Sequence, residues 1–285
     1  MSTTHRTAAI TGAGSGLGRE LAEQLTQRGY LVFGTVLSPE EGDGFSQPER
    51  ISTSAVDVTD ETAVRRWAGE VTDVVGDHGL DLLISNAGIL TPGPMEVLPL
   101  DAVRHEFEVN VFGSLAVINA FLPALRTARG RIVQIGAMTG WFPLPFNGPS
   151  SASKATLEAF ADVYRNELRP FGVDFVIAQA GNMLTGGPAK TAAVLERTAA
   201  SFTDTQQALY GEAFNAFTTA LNAMQGNGLS AHDSASRVIE LAEQEPAPSR
   251  APVGADAADI LRQVHERSDS ELDDLRLALL GLPSR

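Results

Sequence analysis

The 285-residue chain contains no cysteine, which excludes disulfides, a thiolate metal site and a thiol nucleophile. It is poor in basic side chains: 21 Lys and Arg stand against 35 Asp and Glu, a formal net charge of −14. Nucleic acids and anionic membranes are gripped by Lys and Arg set against phosphate, so this balance argues against both as partners. No apolar run approaches the roughly 18 residues of a membrane span. The opening MSTTHRTAAITG lacks the apolar stretch of a secretory signal, because strand-like text and a glycine loop begin almost at once. No internal repeat or charged linker divides the chain. These absences lead to the expectation of one cytoplasmic domain over residues 1–285 that acts on a small molecule.

What is present is a regular alternation. TAAIT (7–11), YLVFGTV (30–36), ISTSAV (51–56), LDLLIS (80–85), RIVQIG (131–136) and VDFVIA (173–178) read as six strands, and RAPVG (250–254) as a seventh. Between them the apolar spacing turns helical: Val64, Trp67, Ala68, Val71 and Val75 in one stretch, Phe107, Val111, Ser114, Leu115, Ile118 and Leu122 in another, the latter with Asp101 as its expected N-cap. Strands alternating with helices predict an α/β fold, doubly wound, with a parallel sheet of about seven strands. After residue 180, GNMLTGGPAK reads as a loop. Helical text with Phe202, Leu209, Tyr210, Phe214, Phe217 and Met224 follows, and residues 255–281 read as helical and acidic.

TGAGSGLGRE (11–20) directly follows the first strand and opens a helix, with Gly12, Gly16 and Gly18 in the pattern G-x-x-x-G-x-G. A tight turn, close backbone approach and amide donors at a positive helix terminus are what a dinucleotide diphosphate requires.

With DV (57–58), SNAG (85–88), VNVFG (109–113), SASK (151–154) and RAPVGADA (250–257), this loop makes nearly the whole chain resemble the short-chain dehydrogenase/reductase family. The resemblance implies a Rossmann fold that binds NAD(H) or NADP(H) with no separate substrate domain. It assigns Gly12, Ser15, Gly16, Leu17 and Gly18 to the diphosphate, Asp57 and Val58 to adenine, and Asn86, Ala87 and Gly88 to the adenosine side. Lys154 falls at the nicotinamide ribose and Thr185 where the family often meets the coenzyme amide. The resemblance also implies a substrate-covering segment over 181–230 and a C-terminal helical extension over 255–285. Pairing of helices near 101–127 and 151–170 would give a homodimer or homotetramer. The aromatic residues of the covering segment fit either a pocket for a medium-sized hydrophobic substrate or a helix packing its own core. The second strand ends in Val36 and Leu37, with neither the Asp that reads a ribose 2′-hydroxyl nor the Arg that pairs a 2′-phosphate. With no carboxylate to oppose the phosphate, the reading tips slightly to NADP(H); Arg19 reads as solvated.

The family's usual machinery is Asn, Ser, Tyr and Lys, with Tyr and Lys four apart on one helix face. Asn110 and Lys154 match. Ser150 stands at the tyrosine position and Ala137 at the serine position. An aliphatic hydroxyl is shorter and a far weaker acid than a phenol of pKa about 10. Three readings stay open: an oxidoreductase with a substitute acid, Lys154 directly or through water on Ser150 and Ser151, with Thr139 nearby; a reaction that needs no phenol, such as reduction of an activated C=N or C=C bond, cyclisation or isomerisation; and a nucleotide-binding pseudoenzyme. Tyr164 lies about 21 Å along the same helix from Ser150, while Tyr210 stays open as a donor. His105 and Glu106 read as solvated. His232 and Asp233 read as a helix start, with no third metal ligand in sight.

Overall fold

Short β-branched strands with no polar face belong in the middle of a layered α/β fold, covered on both sides. The computed structural model, which describes residues 5–184 and 187–283, shows this arrangement. In chain order the elements are β1 (Thr7–Ile10), α1 (Gly16–Gln27), β2 (Leu31–Val36), β3 (Ile51–Ala55), α2 (Glu61–Val75), β4 (Leu82–Ser85), α3 (Leu100–Phe107), α4 (Ser114–Ala128), β5 (Arg131–Ala137), α5 (Gly148–Leu168) and β6 (Asp174–Ala180). The remainder comprises β7 (Met183–Leu184), α6 (Gly187–Ala200), α7 (Asp204–Gly226), β8 (Leu229–Ser230), α8 (Ala231–Glu243), β9 (Arg250–Val253), α9 (Ala255–Glu266) and α10 (Asp269–Leu279).

Seven strands pair in parallel in the order β3-β2-β1-β4-β5-β6-β9. The order reverses between β1 and β4, and in open α/β sheets that switch point opens a crevice at the carboxyl ends of the strands. On one face, Leu17, Leu21 and Leu25 of α1 and Val238, Ile239 and Leu241 of α8 pack on the sheet. On the other, Trp67 and Val71 of α2, Val117 and Phe121 of α4, and Ala161 and Leu168 of α5 do so. Trp67 meets Phe121 edge to face at 4.8 Å between ring centroids.

All seven expected strands form, within a few residues of their expected ends. Three details differ. The helix before β5 is capped at Pro99, and Asp101 lies one residue inside its first turn, exposed and paired with Arg104. The stretch read as a loop after residue 180 contains β7, which pairs with β8, and helix begins again at Gly187. Between α3 and α4 the backbone widens into a π-helical turn, Glu108–Gly113. Gly113 makes room there: a Cβ on it would stand 2.7 Å from Val58 Cγ2. Such turns recur at functional sites, and this one carries Asn110. By length and composition the continuous helical stretch Leu100–Ala128 is able to cross a membrane, but half of its apolar window is buried inside the fold, as a core helix requires.

Candidate functional site

The glycine loop runs from β1 into α1 at the switch point. Gly12 and Gly16 have φ of +69° and +54°, values that only glycine adopts freely. A Cβ on Gly18 would lie 2.1 Å from the Gly12 carbonyl oxygen, so nothing larger fits. Thr11 Oγ1 accepts from the backbone N–H groups of Asn86 and Ala87, each at 2.9 Å, and Asn86 Nδ2 donates to Thr11 O at 2.9 Å. Asn86 therefore holds the loop to the end of β4. Ser15, the N-cap of α1, is extended and makes no side-chain cap bond, so the first amides of α1 keep their donors for an anion.

At the adenosine end, Asp57 is exposed, and its Oδ1 accepts from Thr59 N and Oγ1. Val58 is buried against Gly113, so its side chain serves packing and only its main chain is free to meet a ligand. Val36 is buried and Leu37 exposed. The carboxylate that sequence order did not place here comes from the following turn. Glu41 Oε2 accepts from Leu37 N at 3.0 Å and lies 2.9 Å from where a Cβ of Gly14 would stand. Arg19 stacks on Phe45 and donates to Asp43 O.

At the other end, β5 finishes at Ala137 beside Ala180 of β6, and α5 brings Lys154 across. Lys154 Nζ donates to Ile135 O at 2.8 Å. Asn110 Nδ2 reaches Ile89 O (3.0 Å), Ser153 Oγ (3.1 Å) and Glu106 Oε1 (3.2 Å), and its Oδ1 accepts from Ile89 N at 2.8 Å. Ser153 Oγ donates to Ser150 O at 2.8 Å. A Cβ on Gly88 would come 3.2 Å from Asn110 Oδ1. Asn110, Ser150, Ser153 and Lys154 are thus tied together at the carboxyl ends of β4 and β5. Ser151 is buried, and its hydroxyl has no protein hydrogen-bond partner among the described residues.

Glu106 corrects the sequence reading. His105 is exposed as expected, but Glu106 is 0 % exposed. It faces inward with Asn110, four residues on, and also accepts from Thr91 N at 2.8 Å. That i, i+4 spacing to Asn110 was the available signal. Burial pushes its carboxyl up to about 7, opposed by the bonds from Thr91, the charge of Lys154 and the bond from Asn110. Burial pushes the Lys154 ammonium down to about 8, with Glu106 pulling the other way.

The three tyrosines are engaged elsewhere. Tyr30 bonds Glu243, Tyr164 bonds Asn119 at 2.8 Å, and Tyr210 bonds Glu96. Of the covering segment, Phe214 and Phe217 are fully buried with Leu195 and Leu280, which makes them core, while Leu209 is exposed. Thr185 lies outside the described residues. His232 bonds Gln24 and Glu20, and Ser230 caps α8. Among the described residues no group of three or more acidic or histidine side chains gathers to hold a metal.

A family model described as short chain dehydrogenase matches residues 6–194. An NADPH-dependent 3-dehydrocapnine reductase of Ornithobacterium rhinotracheale is 35% identical over 187 residues, 63% of this chain and 66% of that one. The chain spans between 48% and 66% of the length of the first curated relatives it matches. Among solved structures, a short-chain dehydrogenase from Streptomyces avermitilis superposes with a TM-score of 0.80 at 26% identity, covering 99% of both chains. A Burkholderia cenocepacia short chain dehydrogenase in complex with NADP gives 0.74 at 25%, covering 96% of this chain and 97% of that one.

Proposed function

The chain belongs to the short-chain dehydrogenase family, and on that premise we propose that it is a nicotinamide-dependent oxidoreductase in which Lys154, in place of a tyrosine, protonates the substrate oxygen. The observation that carries this is the company Lys154 keeps. Its buried ammonium bonds Ile135 O, two residues before the end of β5, with a pKa held near 8, where the family's hydroxyls are replaced by Ala137 and by an aliphatic one at Ser150.

The chain's residues fit a dinucleotide. The α1 terminus has no side-chain cap, Gly12 and Gly16 take positive φ, and Gly18 packs on the Gly12 carbonyl with no room for a Cβ, so the backbone of Gly12 to Gly18 would hold the diphosphate. Asn86, Ala87 and Gly88 would lie along the adenosine side. Such a coenzyme supplies a hydride when bound; everything else falls to the protein. Lys154 spends one of three N–H donors on Ile135 O, leaving two for a ribose hydroxyl and a substrate oxygen. Below about pH 8 it carries the proton, and an acid of that strength is better matched to neutral pH than an ordinary lysine. Asn110 fixes Ser153 and the Ile89 backbone around it.

The substrate class we propose is a small to medium hydrophobic carbonyl or alcohol, or an activated C=N or C=C compound; Met95, near the start of α5 at Gly148, is 58% exposed and offers apolar surface. In the last case a weak acid suffices. The test is coenzyme oxidation on a panel of such compounds with wild type and Lys154→Met. Turnover by wild type that falls about 10²–10⁴-fold in the variant supports the proposal. Tight coenzyme binding with no turnover on any compound would make the chain a pseudoenzyme, and product without coenzyme oxidation would make it a cyclase or isomerase.

The assembly proposed is a homodimer or homotetramer through the faces of α4 and α5. Val163 is 52% exposed there. A groove of about 460 Å³ runs between the two helices past Leu115, Leu122 and Phe160.

A further inference from the structure

We infer that Glu106 is a positioning residue of this site, whose buried carboxylate sets the charge of Lys154 and holds the loop after β4 against Asn110. The inference rests on the oxidoreductase reading for its catalytic meaning, but its physical content concerns two side chains of this protein only. Nothing about helix packing requires a carboxylate at 0 % exposure, and burying one without a partner is costly. Here both oxygens are engaged, Oε1 by Asn110 Nδ2 and Oε2 by Thr91 N.

The electrostatic surroundings are sparse. On its own helix, Asp101 and Arg104 pair with each other in solvent and His105 is exposed. From the π-helical turn, Glu108 is exposed. The loop after β4 contributes Thr91, which carries no charge. From α5 come Lys154 and Glu158, and Glu158 is already taken up by Gln179 and Arg250. Geometry joins the two groups through Asn110, whose Nδ2 meets both Glu106 Oε1 and the hydroxyl of Ser153, the residue next to Lys154; among the described residues each is the one charge acting on the other. With the carboxyl ionised above about pH 7, the ammonium is favoured; with it neutral, desolvation acts on Lys154 unopposed. Glu106 therefore extends to higher pH the range over which Lys154 carries a proton. In the family's usual arrangement a phenol would be the titrating acid beside the lysine. Here the lysine itself must be kept protonated, which gives a neighbouring carboxylate a role.

The chain has two lysines, Lys154 and Lys190, so Lys154 is open to direct titration. Protein labelled with [13C]lysine is titrated by NMR from pH 6 to 11, with Lys190→Arg to assign the resonances. In wild type the Lys154 signal is expected to show a main inflection near 8 and a smaller one near 7 from Glu106. In Glu106→Gln, which keeps an acceptor for Thr91 N, the smaller inflection should vanish and the main one fall by on the order of one pH unit. Glu106→Asp should restore part of the shift. An unmoved Lys154 midpoint in folded Glu106→Gln overturns the inference, leaving Glu106 a packing residue. A single inflection in wild type overturns it too, with no variant needed. If the chain turns over, the alkaline limb of its kcat profile moves with the NMR midpoint while KM for the carbonyl stays within about twofold. If it does not, the NMR result stands by itself and only the oxidoreductase reading fails.

Discussion

At the scale of single residues the site is governed by what has no side chain and by what is buried. Gly18 is the sharper case of the first. A methyl group there collides with the Gly12 carbonyl at 2.1 Å and with Asn86 Nδ2 at 2.7 Å, so Gly18→Ala must move the backbone proposed to hold the diphosphate. Coenzyme affinity measured by fluorescence titration is expected to drop more than about tenfold, alongside a loss of about 1–3 kcal/mol of stability. Glu41 concerns which coenzyme binds. Its carboxylate lies at the end of β2 beside Gly14, where a 2′-phosphate would meet like charge at close range. The reading that leaned to NADP(H) relied on there being no carboxylate in this position, and that ground is gone. Among similar proteins, one relative is named as NADPH-dependent and one structure holds NADP; the geometry of Glu41 points the other way, to NAD(H). We expect wild type to bind NADH more tightly than NADPH and Glu41→Arg to reverse the order; tighter NADPH binding by wild type would remove Glu41 from this role.

At the scale of elements, the segment after β6 shows how a loop is held in place over a crevice. Gly181 opens it, and a Cβ there would stand 2.2 Å from Asp256 Oδ1. Asp256, in the first turn of α9, accepts from Asn182 N at 2.7 Å and Nδ2 at 2.9 Å through one oxygen. β7 then pairs with β8, and α6 and α7 close on Phe214 and Phe217. Asp256→Ala leaves the Asn182 amide unpaired and is expected to cost about 1–3 kcal/mol by chemical denaturation, with a raised KM for substrate and a kcat changed less. Strands and amphipathic helices were legible because their evidence is local: TAAIT and RIVQIG announce buried strands within their own letters. β7 and β8 are two residues each and exist only because distant segments meet. Glu106 was misread for a related reason. Its neighbours in sequence, His105 and Glu108, are exposed, and the one signal that it faces inward, its i, i+4 spacing to Asn110, gains meaning only once Thr91 and Asn110 are seen to bond it. Glu41 escaped notice because the turn after β2 folds back toward Gly14, a path that residue order does not show.

At the scale of the whole molecule, the parallel sheet puts every crossover helix on one face or the other. The crevice is left at the switch point between β1 and β4, so the dinucleotide loop, Asn86 and Lys154 converge although they lie far apart in sequence. The faces of α4 and α5 that do not cover the sheet form a groove in which Leu115, Leu122, Phe160 and Val163 stand among Asn119, Arg126 and Glu167. With Phe160, Val163 and Phe171 exposed along one groove, the chain is expected to associate, and Val163→Arg to shift sedimentation toward the monomer while leaving the helical content unchanged. A wild type that sediments as a monomer at micromolar concentration would contradict this. In the proposed reaction the proton comes from Lys154, whose acid form is lost as pH rises through about 8. The most direct measurement is the pH dependence of kcat for reduction by wild type. A fall with a midpoint near pH 8 is expected; a rate that holds to pH 10 before it falls would assign the proton to a phenol such as Tyr210 and contradict the claim.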